Sequence, residues 1–218
     1  MSAPSLTVYG LEIPANIYSL DGFRAWVASL GAESGVRATF ASGEVFVDMS
    51  PQSYKTHEPL VEAINRVLLN LAAESGLGHY YLPPSWITAE GSVSTEPDGF
   101  LVFGDRLRSG AVRVNPENEA ELLGRPDMTL EVVSRSSTRK DLEVLVRDYA
   151  KAGVGEYWIA DARQDEIVFL VHVLREGRYV AQAADGEGWV ASPIWRRELR
   201  LRRVTNPAGL PDFLLEAR

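Results

Sequence analysis

The alternation of apolar and polar residues in the first half of the chain predicts a hairpin and a long helix. Within residues 36–49, two runs of alternating β-branched and aromatic residues flank the turn-forming pair Ser42-Gly43, which is the pattern of a β-hairpin. Apolar residues then recur at steps of three and four over residues 60–71. This spacing predicts an amphipathic helix that begins at a Thr56 cap and ends near Gly76.

The second half of the chain predicts a strand, a helix and a second strand in succession. Residues 128–133 and 157–160 are mostly apolar runs of strand length, as expected for strands that are buried on both faces. Between them, Thr138 can cap a helix that stops at Gly153. The buried side of that helix is expected to consist of Leu142, Leu145, Val146 and Tyr149. Because two parallel strands need a crossover connection, this order predicts an α/β fold with a mixed sheet.

Shorter elements complete the expected fold. A short helix is expected after an Asp21 cap, strands at residues 80–82, 86–88 and 100–103, and a hairpin over residues 167–183. Residues 105–125 are polar and predict an irregular segment with a turn of helix after Pro116. The length of 218 residues suits one domain with short appendages.

Composition restricts the class of protein. With 45% hydrophobic and 24% charged residues, the chain has the balance of an ordinary soluble globular protein, and the absence of cysteine excludes disulfides, thiolate metal sites and cysteine nucleophiles. No apolar run approaches the ~18 residues of a membrane span and no signal peptide is visible, so we expect a cytoplasmic protein without a membrane partner. A net charge of −8 argues against a surface that coats nucleic acid throughout, and it leaves a local DNA site open.

The residue that most clearly indicates chemistry is Glu131, in the middle of an apolar strand. An ionised and unpaired glutamate there would be strongly destabilising, so it requires a cation, a metal or a proton. Two interpretations stay open at this point: Glu131 belongs to a metal site, or it reaches a sheet edge or pairs with an arginine. The three histidines fit no zinc spacing, and the chain has no glycine-rich phosphate loop and no Gly-x-Ser-x-Gly elbow, so nucleotide hydrolysis and serine esterase activity have no support.

A series of short motifs extends over residues 36–200. In the second half they are Pro126-Asp127-Met128-Thr129-Leu130-Glu131-Val132-Val133-Ser134, Ser136-Ser137-Thr138, Asp141, Tyr149 and Gly153-Val154-Gly155-Glu156-Tyr157-Trp158-Ile159-Ala160-Asp161. In the first half they are Ser42-Gly43-Glu44-Val45, Met49-Ser50-Pro51, His57 and Pro97-Asp98. Together these motifs resemble the Uma-two family, small bacterial proteins described as restriction endonucleases. The resemblance implies an N-terminal extension with a short helix (1–35), a restriction-endonuclease-like nuclease domain (36–200) and a C-terminal tail packed on it (201–218).

The resemblance also implies a PD-(D/E)xK type of fold, in which a mixed sheet flanked by helices holds a Mg²⁺ ion, or Mn²⁺ in its place. By the same resemblance, Asp98 is the first acidic ligand, Glu131 the second and the main-chain carbonyl of Val132 a third oxygen donor. Glu44 matches a further acidic position. Such oxygen ligands suit magnesium, which would lower the pKa of a bound water for attack on a DNA phosphodiester. The resemblance favours a homodimer as well.

The chain departs from the family at Leu145, four residues after Asp141, where members carry a lysine. A lysine there positions the attacking water and offsets phosphate charge. At about 100° per residue, Lys140 and Lys151 lie about 140° and 240° around the helix from Leu145, so neither is expected to point the same way. Lys55, in the loop before the long helix, is therefore the expected catalytic lysine. The alternative is a catalytically degenerate relative that acts as a DNA-binding or protein-interaction module.

Basic residues just beyond the expected metal strand are candidates for DNA contact, namely Arg135, Arg139 and Lys140. A second arginine cluster lies within residues 196–203. Runs of charge are also typical of solvated faces, so both interpretations stay open. Phosphate contacts would make DNA binding weaken steeply with added salt.

Overall fold

Two six-stranded mixed sheets and four α-helices form most of the computed structural model, which describes residues 5–8, 11–30, 34–89 and 91–218. From one edge to the other, the strands of the central sheet are Arg178–Ala181 (β14), Val168–Arg175 (β13), Glu156–Asp161 (β12), Met128–Val132 (β11), Gly99–Phe103 (β8) and Gly78–Tyr81 (β5). Strands β11 and β12 run parallel, with Glu131 opposite Ile159, and the other neighbouring pairs are antiparallel. The predicted parallel crossover is confirmed.

The second six-stranded sheet lies against the first. Its strands, in spatial order, are Glu44–Asp48 (β4), Arg37–Ala41 (β3), Val93–Thr95 (β7), Trp86–Ala89 (β6), Asn118–Leu123 (β10) and Arg113–Asn115 (β9). Two small antiparallel sheets are formed by Val190–Ser192 (β15), Arg197–Thr205 (β16) and Pro211–Ala217 (β17), and by Ser5–Val8 (β1) and Leu11–Pro14 (β2).

The helices cover the faces of the sheets. They are Leu20–Ser29 (α1), His57–Ser75 (α2), Gly104–Ser109 (α3) and Leu145–Ala152 (α4). A 3₁₀ turn at Ala15–Tyr18 precedes α1, and a π-turn at Lys140–Val144 leads into α4. Among the described helices, none is long and apolar enough to cross a membrane.

Side chains of β11 alternate between two buried clusters because successive residues of a strand point to opposite faces. Leu130 and Val132 pack with the apolar side of α2 and with the three-stranded sheet. Glu131 lies on the opposite face, toward α4, where Leu145 and Tyr149 belong to a second apolar cluster. Both faces of β11 are covered, so a charge on this strand lies away from bulk water.

The long elements agree with the sequence pattern. The hairpin β3–β4 turns at Ser42-Gly43, and the hairpin β13–β14 also lies where it was expected. Helix α2 ends at Gly76 and α4 at Gly153, both in the left-handed conformation that glycine adopts without steric cost. The predicted hairpins and the predicted helix ends are therefore confirmed.

Several local predictions are wrong. The segment 105–125 is not irregular, since it contains most of α3 and the strands β9 and β10. Ser19, rather than Asp21, caps α1 by accepting a hydrogen bond from the N–H of Gly22. The predicted threonine caps are not made: the side chain of Thr56 forms no cap hydrogen bond, and Thr138 donates its hydroxyl to the carbonyl of Ser134.

The terminal segments are built into the body of the fold. Helix α1 packs on the second sheet through Phe23 and Trp26, and Arg24 pairs with the buried Glu121 at 2.6 Å. At the other end, the expected tail boundary at residue 200 falls inside β16, and β17 packs on α2. The C-terminal residues thus complete the cover over one face of the central sheet.

Candidate active site

Asp98 lies directly before β8, the neighbour of β11 in the central sheet. Its carboxylate oxygen Oδ2 accepts a hydrogen bond from the main-chain N–H of Val132 at 2.6 Å. The Asp98 carbonyl accepts a second bond, at 2.8 Å, from the side-chain amide of Asn65. Glycine is required at position 99, because a Cβ there would come within 2.1 Å of the Tyr80 hydroxyl oxygen. These contacts fix the first acid against the strand that carries the second.

Glu131 is 2% exposed, and both of its carboxylate oxygens accept hydrogen bonds. Oε1 accepts from the hydroxyl of Tyr149 and Oε2 from Nζ of Lys140, each at 3.0 Å. Burial raises the pKa of Glu131 to about 8; the charge of Lys140 opposes this rise, and the charges of Asp141 and Asp98 reinforce it. A further cation in the site would stabilise the ionised form of this carboxylate.

Lys140 supplies the cation that the buried strand glutamate requires. Its Nζ lies 3.0 Å from Oε2 of Glu131 and 2.7 Å from Oδ1 of Asp141, and its side chain is 15% exposed. Burial disfavours the ammonium, but the two carboxylates outweigh burial and raise the pKa of Lys140 above its ordinary value. One ammonium is shared by two buried carboxylates, so this group of three side chains carries excess negative charge when both acids are ionised.

A cavity of about 280 Å³ opens onto these side chains, and we call it the acidic cavity. The carboxylates that line it are Asp48, Glu96, Asp98, Glu131 and Asp141. Its cationic lining consists of Arg37 and Lys140, beside His57. Arg37 is itself paired with Asp48 at 3.1 Å. Acidic groups outnumber basic ones, and the cavity is therefore expected to attract cations.

His57, the first residue of α2, is a residue of this cavity that the sequence did not single out for chemistry. Its Nε2 lies 3.6 Å from Oδ2 of Asp98, and its buried Nδ1 has no hydrogen-bond partner among the described residues. Burial lowers the pKa of His57, but the nearby carboxylate of Asp98 outweighs burial, and the pKa is raised. A histidine directly after a polar loop, at the start of a long helix, was the available signal.

The donor set of the acidic cavity suits a hard divalent cation. Asp98 and Glu131 offer carboxylate oxygens and Val132 offers a main-chain carbonyl, and Mg²⁺ is typically bound by one or two carboxylates while it keeps several waters. In the described part of the chain, no group of three or more histidine or acidic side chains forms a ready-made metal site. A cation here would therefore depend on main-chain and water oxygens beside the two acids.

Four of the other expected site residues lie outside the acidic cavity. Both carboxylate oxygens of Glu44 accept hydrogen bonds from the guanidinium of Arg139 at 2.7 Å, and neither residue lines the cavity. Lys55 is exposed and, with Arg135, lines a neighbouring cavity instead. Lys140 and Leu145 point in different directions, as the helical spacing predicts, but it is Lys140 that reaches Glu131, from the π-turn, whereas Leu145 faces the apolar cluster.

The acids lie at adjacent ends of β8 and β11, and the chain crosses over them through α4 to reach β12, which is the arrangement of the restriction-endonuclease-like fold. A similar solved structure is described as "Crystal structure of a putative nuclease belonging to DUF820 from Anabaena variabilis ATCC 29413"; it has a TM-score of 0.56 and 17% identity, over 73% of this chain and 83% of that chain. The model of the Uma2 family, described as "Putative restriction endonuclease", matches residues 20–203, and the chain belongs to this family. A search of curated proteins found no match. The predicted fold class and the family resemblance are confirmed.

The placement of Leu145 gives a testable expectation for the position at which the family carries lysine. Its side chain is 0% exposed within the apolar cluster beside α4. We expect Leu145→Lys to lower the free energy of unfolding by roughly 3 kcal/mol, because it forces an ammonium into apolar surroundings, and to leave any cleavage activity no higher. Urea denaturation measures the change. The matched control is Leu142→Lys, at a side chain that is 39% exposed, and it should change stability by no more than ~0.5 kcal/mol. Equal stability of the two variants would contradict this placement.

Proposed function

We propose that the protein is a divalent-metal-dependent endonuclease that hydrolyses phosphodiester bonds in DNA. Asp98, Glu131 and the main-chain carbonyl of Val132 would hold Mg²⁺, and Mn²⁺ could replace it. The observation that carries this proposal is the 2.6 Å hydrogen bond between the Asp98 carboxylate and the N–H of Val132, which holds the two acids at one acidic cavity. The family description, a restriction endonuclease, supports DNA as the substrate.

When bound, the cation would lower the pKa of water and neutralise the charge that develops on the phosphate. The remaining steps are assigned to groups of the chain itself. His57 lies beside the Asp98 carboxylate, with 3.6 Å between Nε2 and Oδ2, and restricts the space in which that carboxylate can turn. Tyr149 donates to Glu131 and fixes the direction in which that carboxylate points.

Lys140 takes the role that the family lysine has at the position of Leu145. One N–H of its ammonium is directed to Glu131, and Asp141 is an ion-pair partner that accepts no hydrogen bond from it, so N–H groups remain for a phosphate oxygen or for the attacking water. Its pKa is raised above the ordinary value, so it acts as a hydrogen-bond donor and not as a base at neutral pH. Lys55 is not needed for this role.

The direct test is cleavage of supercoiled plasmid DNA by the purified protein. We expect conversion to nicked and linear forms with Mg²⁺ or Mn²⁺, loss of conversion with excess EDTA, and recovery when metal is added back, because the acidic cavity needs a cation before it can accept a phosphate. Calorimetric titration with Mn²⁺ should show binding to the same preparation. A folded protein that binds Mn²⁺ but leaves the plasmid intact would refute the nuclease proposal.

The second candidate function is a catalytically degenerate DNA-binding or interaction module. Leu145, in place of the family lysine, is the observation that favours it. DNA binding without cleavage at any metal concentration would support this candidate. The homodimer and the cytoplasmic location stay predictions in either case.

A further inference from the structure

A second cavity, of about 740 Å³, adjoins the acidic cavity. It lies between the loop that precedes α2 and the turn that follows β11. Four residues line both cavities, namely Gln52, His57, Ser134 and Ser136. The two cavities therefore form one continuous depression, and any chain that passes through the acidic cavity can extend into the second.

The charge of the second cavity is opposite to that of the first. No aspartate or glutamate is among the described residues that line it, whereas Lys55, Arg135 and Arg163 are. Arg163 is neutralised by Asp161, to which it donates at 2.7 Å. Lys55 and Arg135 are exposed and form no ion pair with any described residue. We call this second cavity the basic cavity.

The two unpaired cations are unusual in their surroundings. The neighbouring cations Arg37, Arg139, Lys140 and Arg163 are all paired with carboxylates. The chain as a whole is acidic, with a net charge of −8, so two uncompensated cations on opposite walls of one cavity create a local positive potential.

Hydroxyl groups also line the basic cavity, from Ser50, Ser53, Thr56, Ser134 and Ser136. Those of Ser50 and Ser136 already donate to Asp48, and that of Thr56 donates to Ser53. The basic cavity also meets the N-terminus of the 19-residue helix α2, where the Thr56 side chain makes no cap hydrogen bond. The Glu58 N–H there is bonded to the Ser53 carbonyl and Pro59 has no N–H, so the attraction for an anion comes from the cationic side chains.

We propose that the basic cavity holds the sugar–phosphate backbone of the substrate strand next to the cleaved bond, with a flanking phosphate between Lys55 and Arg135. This inference rests on the proposed nuclease function. It divides the depression into a metal-binding part and a phosphate-binding part. It also assigns Lys55 to substrate positioning, not to catalysis.

The test is binding of a short fluorescein-labelled oligodeoxynucleotide, single-stranded or duplex, measured by anisotropy in EDTA over a range of salt concentrations. The Lys55→Ala/Arg135→Ala variant should bind about 100-fold more weakly than wild type, about tenfold for each charge. The slope of log affinity against log salt should become less negative by about one for each charge removed. In a Mg²⁺ cleavage assay the same variant should raise KM more than it lowers kcat.

The matched control is Lys151→Ala/Arg147→Ala, which removes one lysine and one arginine from exposed positions on α4 that line neither cavity. It has the same net charge as the test variant and should bind nearly like wild type. An equal loss of affinity in both variants, or unchanged affinity in the test variant, would overturn the proposed role of the basic cavity.

The outcomes separate this inference from the proposed function. If wild type cleaves DNA with metal and the Lys55→Ala/Arg135→Ala variant binds with unchanged affinity, the nuclease proposal stands and the proposed role of the basic cavity is wrong. If that variant alone loses affinity and wild type does not cleave DNA, the basic cavity binds DNA as proposed and the nuclease proposal is wrong. Wild-type protein that binds neither form of the oligonucleotide in EDTA would overturn the proposed role of the basic cavity, and wild-type protein that also leaves plasmid DNA intact with Mg²⁺ would overturn both proposals.

Discussion

Asp98→Asn and Glu131→Gln are each expected to reduce Mg²⁺-dependent DNA cleavage by at least about 10³-fold, equivalent to about 4 kcal/mol of transition-state stabilisation. Each substitution replaces a carboxylate oxygen with an amide nitrogen and removes one negative charge from the proposed cation site. The fold should persist, because the asparagine carbonyl oxygen can still accept the N–H of Val132 and glutamine fills the same volume as Glu131. Initial rates of plasmid nicking and the calorimetric heat of Mn²⁺ binding should fall together.

Glu44→Gln is the matched control for these two variants. The resemblance to the family makes Glu44 a candidate ligand, but its carboxylate is paired with Arg139 outside the acidic cavity. We expect this variant to keep cleavage within a few-fold of wild type, roughly 1 kcal/mol or less. If Asp98→Asn or Glu131→Gln stays active, or if Glu44→Gln loses activity, the assignment of Asp98 and Glu131 as the catalytic acids is wrong.

Lys140→Met should reduce both cleavage and stability. Loss of the ammonium removes a donor from the acidic cavity, and we expect cleavage to fall by about 10²–10³-fold. The same change leaves Glu131 and Asp141 buried without their shared counter-charge, so the free energy of unfolding should fall by roughly 3 kcal/mol. Nicking rates and urea denaturation of the same preparation measure the two effects.

Two further variants separate charge from the particular chemistry of lysine. Lys140→Arg keeps the positive charge between the carboxylates, and it should recover most of the stability but less of the activity, because a guanidinium is larger and planar. Lys151→Met, at an exposed position of α4, should change neither property. If Lys140→Met cleaves DNA as fast as wild type, the ammonium is structural and the water-positioning group lies elsewhere.

The parts of the fold that the sequence predicted are those in which local pattern and tertiary packing agree. The hairpin β3–β4 and helix α2 have strong periodicity and glycine at the turn or at the helix end, so nearby residues suffice to define them. The strands β9 and β10 were missed because they have little alternation of their own. They are stabilised by pairing with each other and with β6, which is distant in sequence.

The candidate site could be predicted from the sequence only in part. Glu131 stood out because a charge within an apolar strand requires compensation, and Asp98 followed from the family resemblance. Lys140 was not expected beside the acids, because the argument sought a lysine that points the same way as Leu145, whereas Glu131 is reached from the π-turn at Lys140–Val144. The same change of winding leaves Leu142 39% exposed, although α-helical spacing predicts that it is buried.

That π-turn has a consequence for how members of this family are recognised. A π-turn has hydrogen bonds between residues five apart, one more than in an α-helix. The chain can therefore carry one inserted residue at this point while the helix that follows keeps its packing. Lys140 comes one residue before Asp141 in the sequence, and its Nζ lies within 3.0 Å of a carboxylate oxygen of both Glu131 and Asp141. A sequence search that requires a fixed number of residues between the acids and the lysine would classify such proteins as inactive. A structural search on the distance between the carboxylate oxygens and the lysine Nζ would retain them.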